Sequence, residues 1–133
     1  MTPEQTTNLM DIDVISQPSL TYGIDLVNKK IRGKIDNADA MLQAVKKALL
    51  TERYAFVIYD GEYGVELQRF IGKDRDYCTA DIERTVTECL STDDRFVSLS
   101  DVTITPISND SLEFSCVVNT TFGNIPLSTE VRI

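Results

Sequence analysis

The feature that most constrains the fold is a strict alternation of apolar and polar residues in the last third of the chain. Two runs carry it, with apolar side chains at Leu112, Phe114, Cys116 and Val118 and then at Ile125, Leu127, Val131 and Ile133. Alternation is typical of strands with one buried face, because successive side chains of a strand point to opposite faces. The last third is therefore predicted to contain neighbouring strands.

Another strand is predicted just upstream, from Phe96 to Thr105. Its apolar positions change parity near Ser100–Asp101, which indicates a bulge. Turns are predicted at Asn109–Asp110 and Gly123–Asn124, since asparagine, aspartate and glycine favour tight turns. Together the three strands predict an antiparallel meander.

Two helices are predicted before the meander. Residues 37–50 have apolar side chains at helical spacing, with Asp36 or Asn37 as the N-cap. The second helix is predicted from about Thr79 to Leu90, with Thr79 as its cap and acidic residues in its first turn.

The remaining segments are predicted as a hairpin and a buried strand. Residues 20–35 contain two short apolar runs around a tip at Asn28–Lys29, which indicates a hairpin. Residues 55–59 (AFVIY) are apolar, β-branched and aromatic, so we expect a buried strand or extended segment there. The predicted fold class is α+β: two helices packed on a small, mainly antiparallel sheet with a C-terminal three-stranded meander.

The chain length of 133 residues predicts one domain with a single core. Residues 1–18 are polar and acidic and contain two prolines, so we expect a flexible N-terminal arm. Its apolar residues Ile12, Val14 and Ile15 could dock on the domain or on a neighbour. The folded domain is predicted to span residues 19–133.

The formal net charge of −8 argues against a nucleic-acid-binding protein, whose interface is normally basic. Against this acidic background, four cations lie within six residues, at Lys29, Lys30, Arg32 and Lys34. They are interpreted either as a solvated hairpin edge or as a docking patch for an acidic partner. No apolar stretch approaches membrane-spanning length, and no signal peptide is recognisable, so we expect a protein of the cytoplasm that makes no membrane contact.

The sequence offers little for catalysis. It has no histidine, which removes the commonest general base and metal ligand. Its acidic residues lack metal-loop spacing, and its three cysteines, Cys78, Cys89 and Cys116, form no CxxC pair. We expect buried free thiols and no enzymatic activity, metal, cofactor or small-molecule substrate.

Glu52 and Arg53 lie where the first predicted helix meets the apolar run, so both are expected to be partly buried. A partly buried charge needs a partner. The pair is interpreted either as a surface ion pair at a helix end or as a clamp on strands or on a neighbour's backbone.

The segment from Met41 to Leu67 resembles the baseplate wedge family of contractile phage tails, often labelled lysozyme-like or gpW-type. The resemblance rests on Leu50–Thr51, on Glu52–Arg53 and on the apolar and glycine-bearing stretches that follow, with Tyr22–Asp25 similar to the family's opening segment. The chain lacks the family's frequent glycine before Glu52 and the proline between Glu52 and Arg53. The acidic arm and overall length are similar to the branch found in prophages of Gram-positive bacteria.

The resemblance implies a structural protein that joins the baseplate wedge to the tail tube and sheath. Implied partners are other wedge subunits, the tail sheath protein and tube-proximal hub proteins, first in the host cytoplasm and then in the baseplate. Thr51, Glu52 and Arg53 would form the assembly motif. The last strand, with Ile125, Leu127, Val131 and Ile133, would bind a partner by strand addition. Two alternatives stay open: a peptidoglycan hydrolase of the tail, and a stand-alone protein-interaction adaptor.

Overall fold

The computed structural model describes residues 19–133, and the predicted N-terminal arm, residues 1–18, lies outside the described part. Within that part, neither helix is long and apolar enough to cross a membrane. The elements follow the predicted α+β order, with a two-stranded sheet, two helices and a three-stranded antiparallel sheet.

The chain begins with the predicted hairpin, formed by β1 (Thr21–Asp25) and β2 (Lys30–Ile35). The Asp25 carboxylate accepts hydrogen bonds from the backbone of residues 27 and 28 and from the Asn28 side chain, which closes the turn. Gly23 is required where the strands bulge, because a Cβ there would lie 2.7 Å from the Arg32 carbonyl oxygen.

Helix α1 (Asn37–Leu50) is capped as predicted, because the Asp36 side chain accepts a hydrogen bond of 2.8 Å from the Asn37 N–H. The hairpin is fastened to α1 by one side chain. Gln43 Oε1 accepts from the Ile24 N–H at 2.8 Å, and its Nε2 donates to the Tyr22 carbonyl at 2.9 Å. This amide therefore pairs with β1 much as a neighbouring strand would.

A single 3-10 turn (Gln68–Phe70) leads into helix α2 (Arg75–Leu90). The predicted start at Thr79 is wrong, since the helix begins four residues earlier with Asp74 at the N-cap position. Cys78 explains the extension: it lies one turn before Ile82 and is buried on the same face.

The meander consists of β3 (Phe96–Ser108), β4 (Ser111–Thr120) and β5 (Gly123–Arg132), in that spatial order. The predicted bulge is confirmed by a register shift after Ser100, with Asp101 at φ +52°.

The turn after β3 lies at Asn109–Asp110 as predicted. The predicted turn at Gly123–Asn124 is wrong, because the turn occupies residues 121–122 and Gly123 already pairs with Thr120. The Thr120 hydroxyl donates to the Gly123 carbonyl at 2.7 Å, which helps to fix the earlier position.

Both helices and the meander contribute to one hydrophobic core. Its most completely buried large side chains are Phe70, Phe114, Met41, Ile82, Leu112 and Val45. The three cysteines are free and buried, as predicted. Burial raises the pKa of Cys89 and Cys116 to about 11, so both remain thiols at neutral pH.

The prediction of a buried strand at residues 55–59 is wrong. The segment is a loop of turns, in which Val57 and Ile58 are 102% and 84% exposed. Its backbone hydrogen bonds are local, from the Ala55 N–H to the Glu52 carbonyl and from the Tyr59 N–H to the Phe56 carbonyl, both at 3.3 Å. Because no neighbouring strand accepts the run into a ladder, its β-propensity is not expressed.

Candidate functional site

The Thr51–Arg53 segment forms a narrow neck at the end of α1. The Thr51 hydroxyl donates to the Lys47 carbonyl at 2.8 Å and ends the helix. The Val65 N–H then donates to the Thr51 carbonyl at 2.9 Å, and the Arg53 N–H donates to the Val65 carbonyl at 3.0 Å. These two bonds make a parallel bridge between Glu52 and Val65, so residues 54–64 leave and return at one point.

Gly64 permits the close approach at this neck. It has φ +104°, and a Cβ would lie 2.7 Å from the Thr51 carbonyl oxygen and 2.9 Å from the Arg53 nitrogen. A side chain would therefore meet both backbone strain and a steric clash that no rotamer can relieve.

Glu52 is half-buried, and its carboxylate oxygens lie 3.3 and 3.4 Å from the Gln68 N–H. Burial raises the pKa of Glu52 above its ordinary value, which outweighs the lowering by the Gln68 and Leu67 backbone hydrogen bonds. The side chain thus ties the neck to the 3-10 turn that follows.

Arg53 turns the other way, into the loop that the neck closes. Its Nε donates to the Gly61 carbonyl at 2.6 Å, and its guanidinium carbon lies 4.8 Å from the centre of the Tyr54 ring. Glu52 and Arg53 form no ion pair with each other among residues 19–133. Both clamp the backbone of their own chain, so the interpretation as a surface ion pair is wrong.

The neck closes an exposed apolar loop, residues 54–59, which we call the display loop. Its exposed side chains are Tyr54, Phe56, Val57, Ile58 and Tyr59. The Tyr59 ring packs at 4.5 Å on Tyr63 and edge-on at 6.3 Å from Phe56, so part of the loop has a fixed shape. An exposed apolar cluster of this size is typical of a protein-contact surface.

A second clamp was not predicted from the sequence. Arg69 bonds to both Asp81 and Thr85 of α2, and its guanidinium stacks 5.0 Å from the Phe70 ring. Asp81 also accepts a hydrogen bond from Arg84. This bond is the main reason that the pKa of Asp81 is lowered. The spacing of Arg69 and Asp81 follows no local pattern, so sequence alone gave no signal for this contact.

The four predicted patch cations divide into two pairs. Arg32 forms an ion pair with Asp25 at 2.9 Å, and Lys34 lies over the Tyr22 ring at 5.9 Å. Lys29 and Lys30 form no ion pair with any carboxylate among residues 19–133. This second pair, at the hairpin tip, lacks the contacts that engage Arg32 and Lys34 and is available to an acidic partner.

The side chains predicted to form the partner-binding strand face the protein's own core. Ile125, Leu127 and Val131 of β5 are buried, and Ile133 packs against the same cluster. They are therefore unavailable as side-chain contacts for a partner. Removing the whole strand would unfold the domain, because each lost aliphatic side chain costs about 2–5 kcal/mol.

The backbone of β5 has no strand partner on one side, because β5 is an edge strand of its sheet. Pro126 pairs with Val117 and has no N–H, so it occupies a position that does not bond to β4. Alternate residues therefore direct their backbone groups outward, at Asn124, Pro126, Ser128, Glu130 and Arg132. The inward bond from the Ile133 N–H to the Asp110 carbonyl, at 2.9 Å, agrees with this parity.

The hairpin, α1 and β5 meet at one place. Leu26 of the hairpin tip, Leu49 and Leu50 of α1, and residues 126–129 of β5 line a shared depression. The neck follows directly after Leu50. The described residues contain no cluster of three or more potential metal ligands.

These features define a class: a small α+β protein whose prominent surfaces are an apolar loop, a cationic hairpin tip and a strand edge, all suited to contact with other polypeptides. The chain belongs to the contractile injection system sheath initiator family, whose model matches residues 20–123. It is 35% identical over 134 residues to the phage-like element PBSX protein XkdS of Bacillus subtilis (strain 168), with 96% of this chain and 93% of that protein covered.

The predicted resemblance to a contractile-tail family is thereby confirmed, and membership supports a structural role in the initiation of a contractile-tail sheath. The family is described by sheath initiation rather than by the wedge or by lysozyme-like activity.

Proposed function

We propose that this chain is a non-catalytic baseplate protein that joins the wedge to the tail tube and templates the first sheath ring by strand addition at β5. It would fold in the host cytoplasm and then remain in the tail baseplate. The observation that carries the proposal is the outward row of backbone groups on β5 in a member of the sheath initiator family.

An added strand needs N–H and C=O groups at alternate positions of an edge. The stretch from Ser128 to Arg132 supplies three such positions, at residues 128, 130 and 132. A sheath subunit that contributes an extended segment would therefore gain up to six backbone hydrogen bonds there.

The same edge is protected against indiscriminate pairing. Pro126 withholds one donor, and the exposed side chains of Glu130 and Arg132 place charges beside the open groups. Proline and charged residues are the usual means by which proteins prevent edge-to-edge aggregation. The edge would thus accept a strand that another contact has already brought into place.

The display loop is proposed to bind a wedge subunit, which would fix the β5 edge in the baseplate where sheath subunits assemble. Its apolar side chains are held on a neck by Glu52 and Arg53, so they are presented with little loss of backbone entropy on binding. Lys29 and Lys30 would add an electrostatic contact with an acidic partner in the wedge or hub.

Gene deletion with complementation tests this function. A strain that produces tails would be deleted for the gene, and its particles would be examined by electron microscopy. We expect tubes and baseplates without sheath, and sheathed tails after complementation with the natural gene. Sheathed tails in the deletion strain would refute the proposal.

The hydrolase alternative has one observation in its favour: the raised pKa of Glu52, which results chiefly from burial and to the smallest extent from the neighbouring Glu66. Against it, the Glu52 carboxylate faces the Gln68 N–H of its own chain. A turbidity assay on purified cell walls separates the two functions. Clearing by the natural protein that is lost in Glu52→Gln would establish the hydrolase and remove the non-catalytic proposal.

A further inference from the structure

A continuous groove runs along α1 between the hairpin and β5. It consists of two adjoining depressions of about 460 and 380 Å³, which share Leu26, Lys46 and Leu50. Leu26 and Leu50 are 61% and 72% exposed, so its floor includes a large apolar surface that no other part of residues 19–133 covers.

The charges around this groove favour an acidic occupant. Its two carboxylates are Asp25, which is paired with Arg32, and Asp39, in the first turn of α1. Lys46 and Lys47 both line the first depression and form no ion pair among residues 19–133. Two cations thus stand beside an exposed apolar floor.

The distribution of charge along the chain points the same way. Residues 19–50 have six cations and three carboxylates, whereas residues 51–133 have seven cations and fifteen carboxylates. Residues 1–18 have three carboxylates and no lysine or arginine. The N-terminal arm and the hairpin–α1 unit therefore have opposite net charges and are adjacent in the chain.

The arm also has the pattern that such a groove would accept. Met10, Ile12 and Val14 alternate with Asp11 and Asp13. In an extended segment this places three apolar side chains on one side and two carboxylates on the other.

We propose that residues 10–15 of the chain's own N-terminal arm bind in this groove, with Ile12 and Val14 on the apolar floor and the two aspartates beside Lys46 and Lys47. This inference goes beyond the proposed function and does not depend on it, because the purified chain alone tests it.

The connecting length is sufficient. Ser19 is tied to the start of α1 by its hydroxyl, which bonds to Asp36 and accepts from the Asn37 N–H at 3.2 Å. The 14 residues of α1 span about 21 Å at about 1.5 Å each. Seven extended residues, 12–18, span about 23 Å at about 3.3 Å each, so residue 12 can reach the far end of the helix.

Carbodiimide cross-linking of the purified full-length protein tests the contact. The reagent joins a carboxylate to a nearby amine, and mass spectrometry identifies the pair. An equal mixture of ¹⁴N- and ¹⁵N-labelled protein shows whether the joined residues belong to one molecule. We expect Asp11 or Asp13 joined to Lys46 or Lys47, without isotopically mixed products.

Hydrogen exchange with charge reversal tests the specificity. We expect the amides of residues 10–15 to exchange roughly three- to tenfold more slowly than in an unstructured peptide, since two exposed ion pairs and a small apolar contact contribute modestly. Lys46→Glu/Lys47→Glu should abolish this protection, and adding Asp11→Lys/Asp13→Lys should restore it. The matched control, Lys29→Glu/Lys30→Glu at the hairpin tip, should leave it unchanged.

Three results would overturn the inference. Exchange of residues 10–15 at the unstructured rate would show that the arm does not bind. Protection that survives Lys46→Glu/Lys47→Glu would place it elsewhere. Isotopically mixed cross-links would assign the groove to the arm of a second copy.

Discussion

A proline at Glu130 is the sharpest test of strand addition at β5. Glu130 pairs with Glu113 at a position whose backbone groups point away from β4. Proline there removes one outward donor without breaking a bond of the existing sheet, and edge strands tolerate proline at such positions. Glu130→Ala is the matched control, since it removes the same carboxylate and keeps the N–H.

The magnitude follows from the hydrogen bonds that an added strand would make. Loss of one donor costs about 1 kcal/mol when water replaces it, and up to about 3 kcal/mol when the partner's carbonyl is left buried without a donor. The affinity for the sheath subunit should therefore fall by about 5- to 150-fold relative to Glu130→Ala. The folded domain should lose less than about 1 kcal/mol.

The assay combines binding of the purified sheath subunit with sheath formation on purified baseplates, counted by electron microscopy. Thermal unfolding of both variants shows that the domain is intact. If Glu130→Pro binds sheath and initiates its assembly as well as Glu130→Ala does, strand addition at this edge is wrong.

Three further predictions concern the loop, the neck and acid stability. Val57→Asp/Ile58→Asp should change the free energy of unfolding by less than about 0.5 kcal/mol, because both side chains are exposed, yet reduce incorporation into baseplates in complementation assays; unchanged incorporation would refute the loop's role. Gly64→Ala should destabilise the domain by at least about 2 kcal/mol in denaturant titrations, and Gly72→Ala, which has positive φ but open space, by only about 1 kcal/mol; equal losses would contradict the close approach. Asp93 accepts a hydrogen bond from the Arg95 side chain, which holds the pKa of Asp93 below its ordinary value of 3.8. The stabilisation of the folded state by this contact is therefore present above pH 3.8 and is lost as the pH falls below it. Asp93→Asn should cost about 1–2 kcal/mol at pH 7 and flatten the acid limb of a stability–pH curve, whereas an unchanged acid limb would contradict this.

The elements that could be predicted are those whose pattern is repeated locally. The alternation through Phe114 and Cys116 predicts the meander, and the helical spacing around Val45 predicts α1, because each pattern indicates an element with one buried face. The parity change at Ser100 even located the bulge. The start of α2 was missed because Thr79 is as good a cap in isolation as Asp74, and only the packing of Cys78 distinguishes them.

The candidate site was less predictable, because its key contacts are long-range. No local sequence pattern predicts that Arg53 donates to the Gly61 carbonyl, or that Glu52 accepts from the Gln68 N–H. The apolar run at residues 55–59 predicts a buried strand, but hydrophobicity alone does not say which molecule covers it. A run that is exposed in the isolated chain is better explained by burial in an assembly.

Sequence and structure assign different roles to β5. The resemblance implies that this strand binds a partner by strand addition, whereas Leu127 and Val131 are needed for the protein's own core. The two interpretations are compatible only if the partner uses the backbone, since a strand's side-chain faces and its hydrogen-bonding edge are perpendicular. A strand that is fixed by its own core but open along one edge presents its donors and acceptors in a preformed row. Under the proposed strand addition, that arrangement would lower the entropy cost of starting a sheath, because only the incoming segment would have to be ordered.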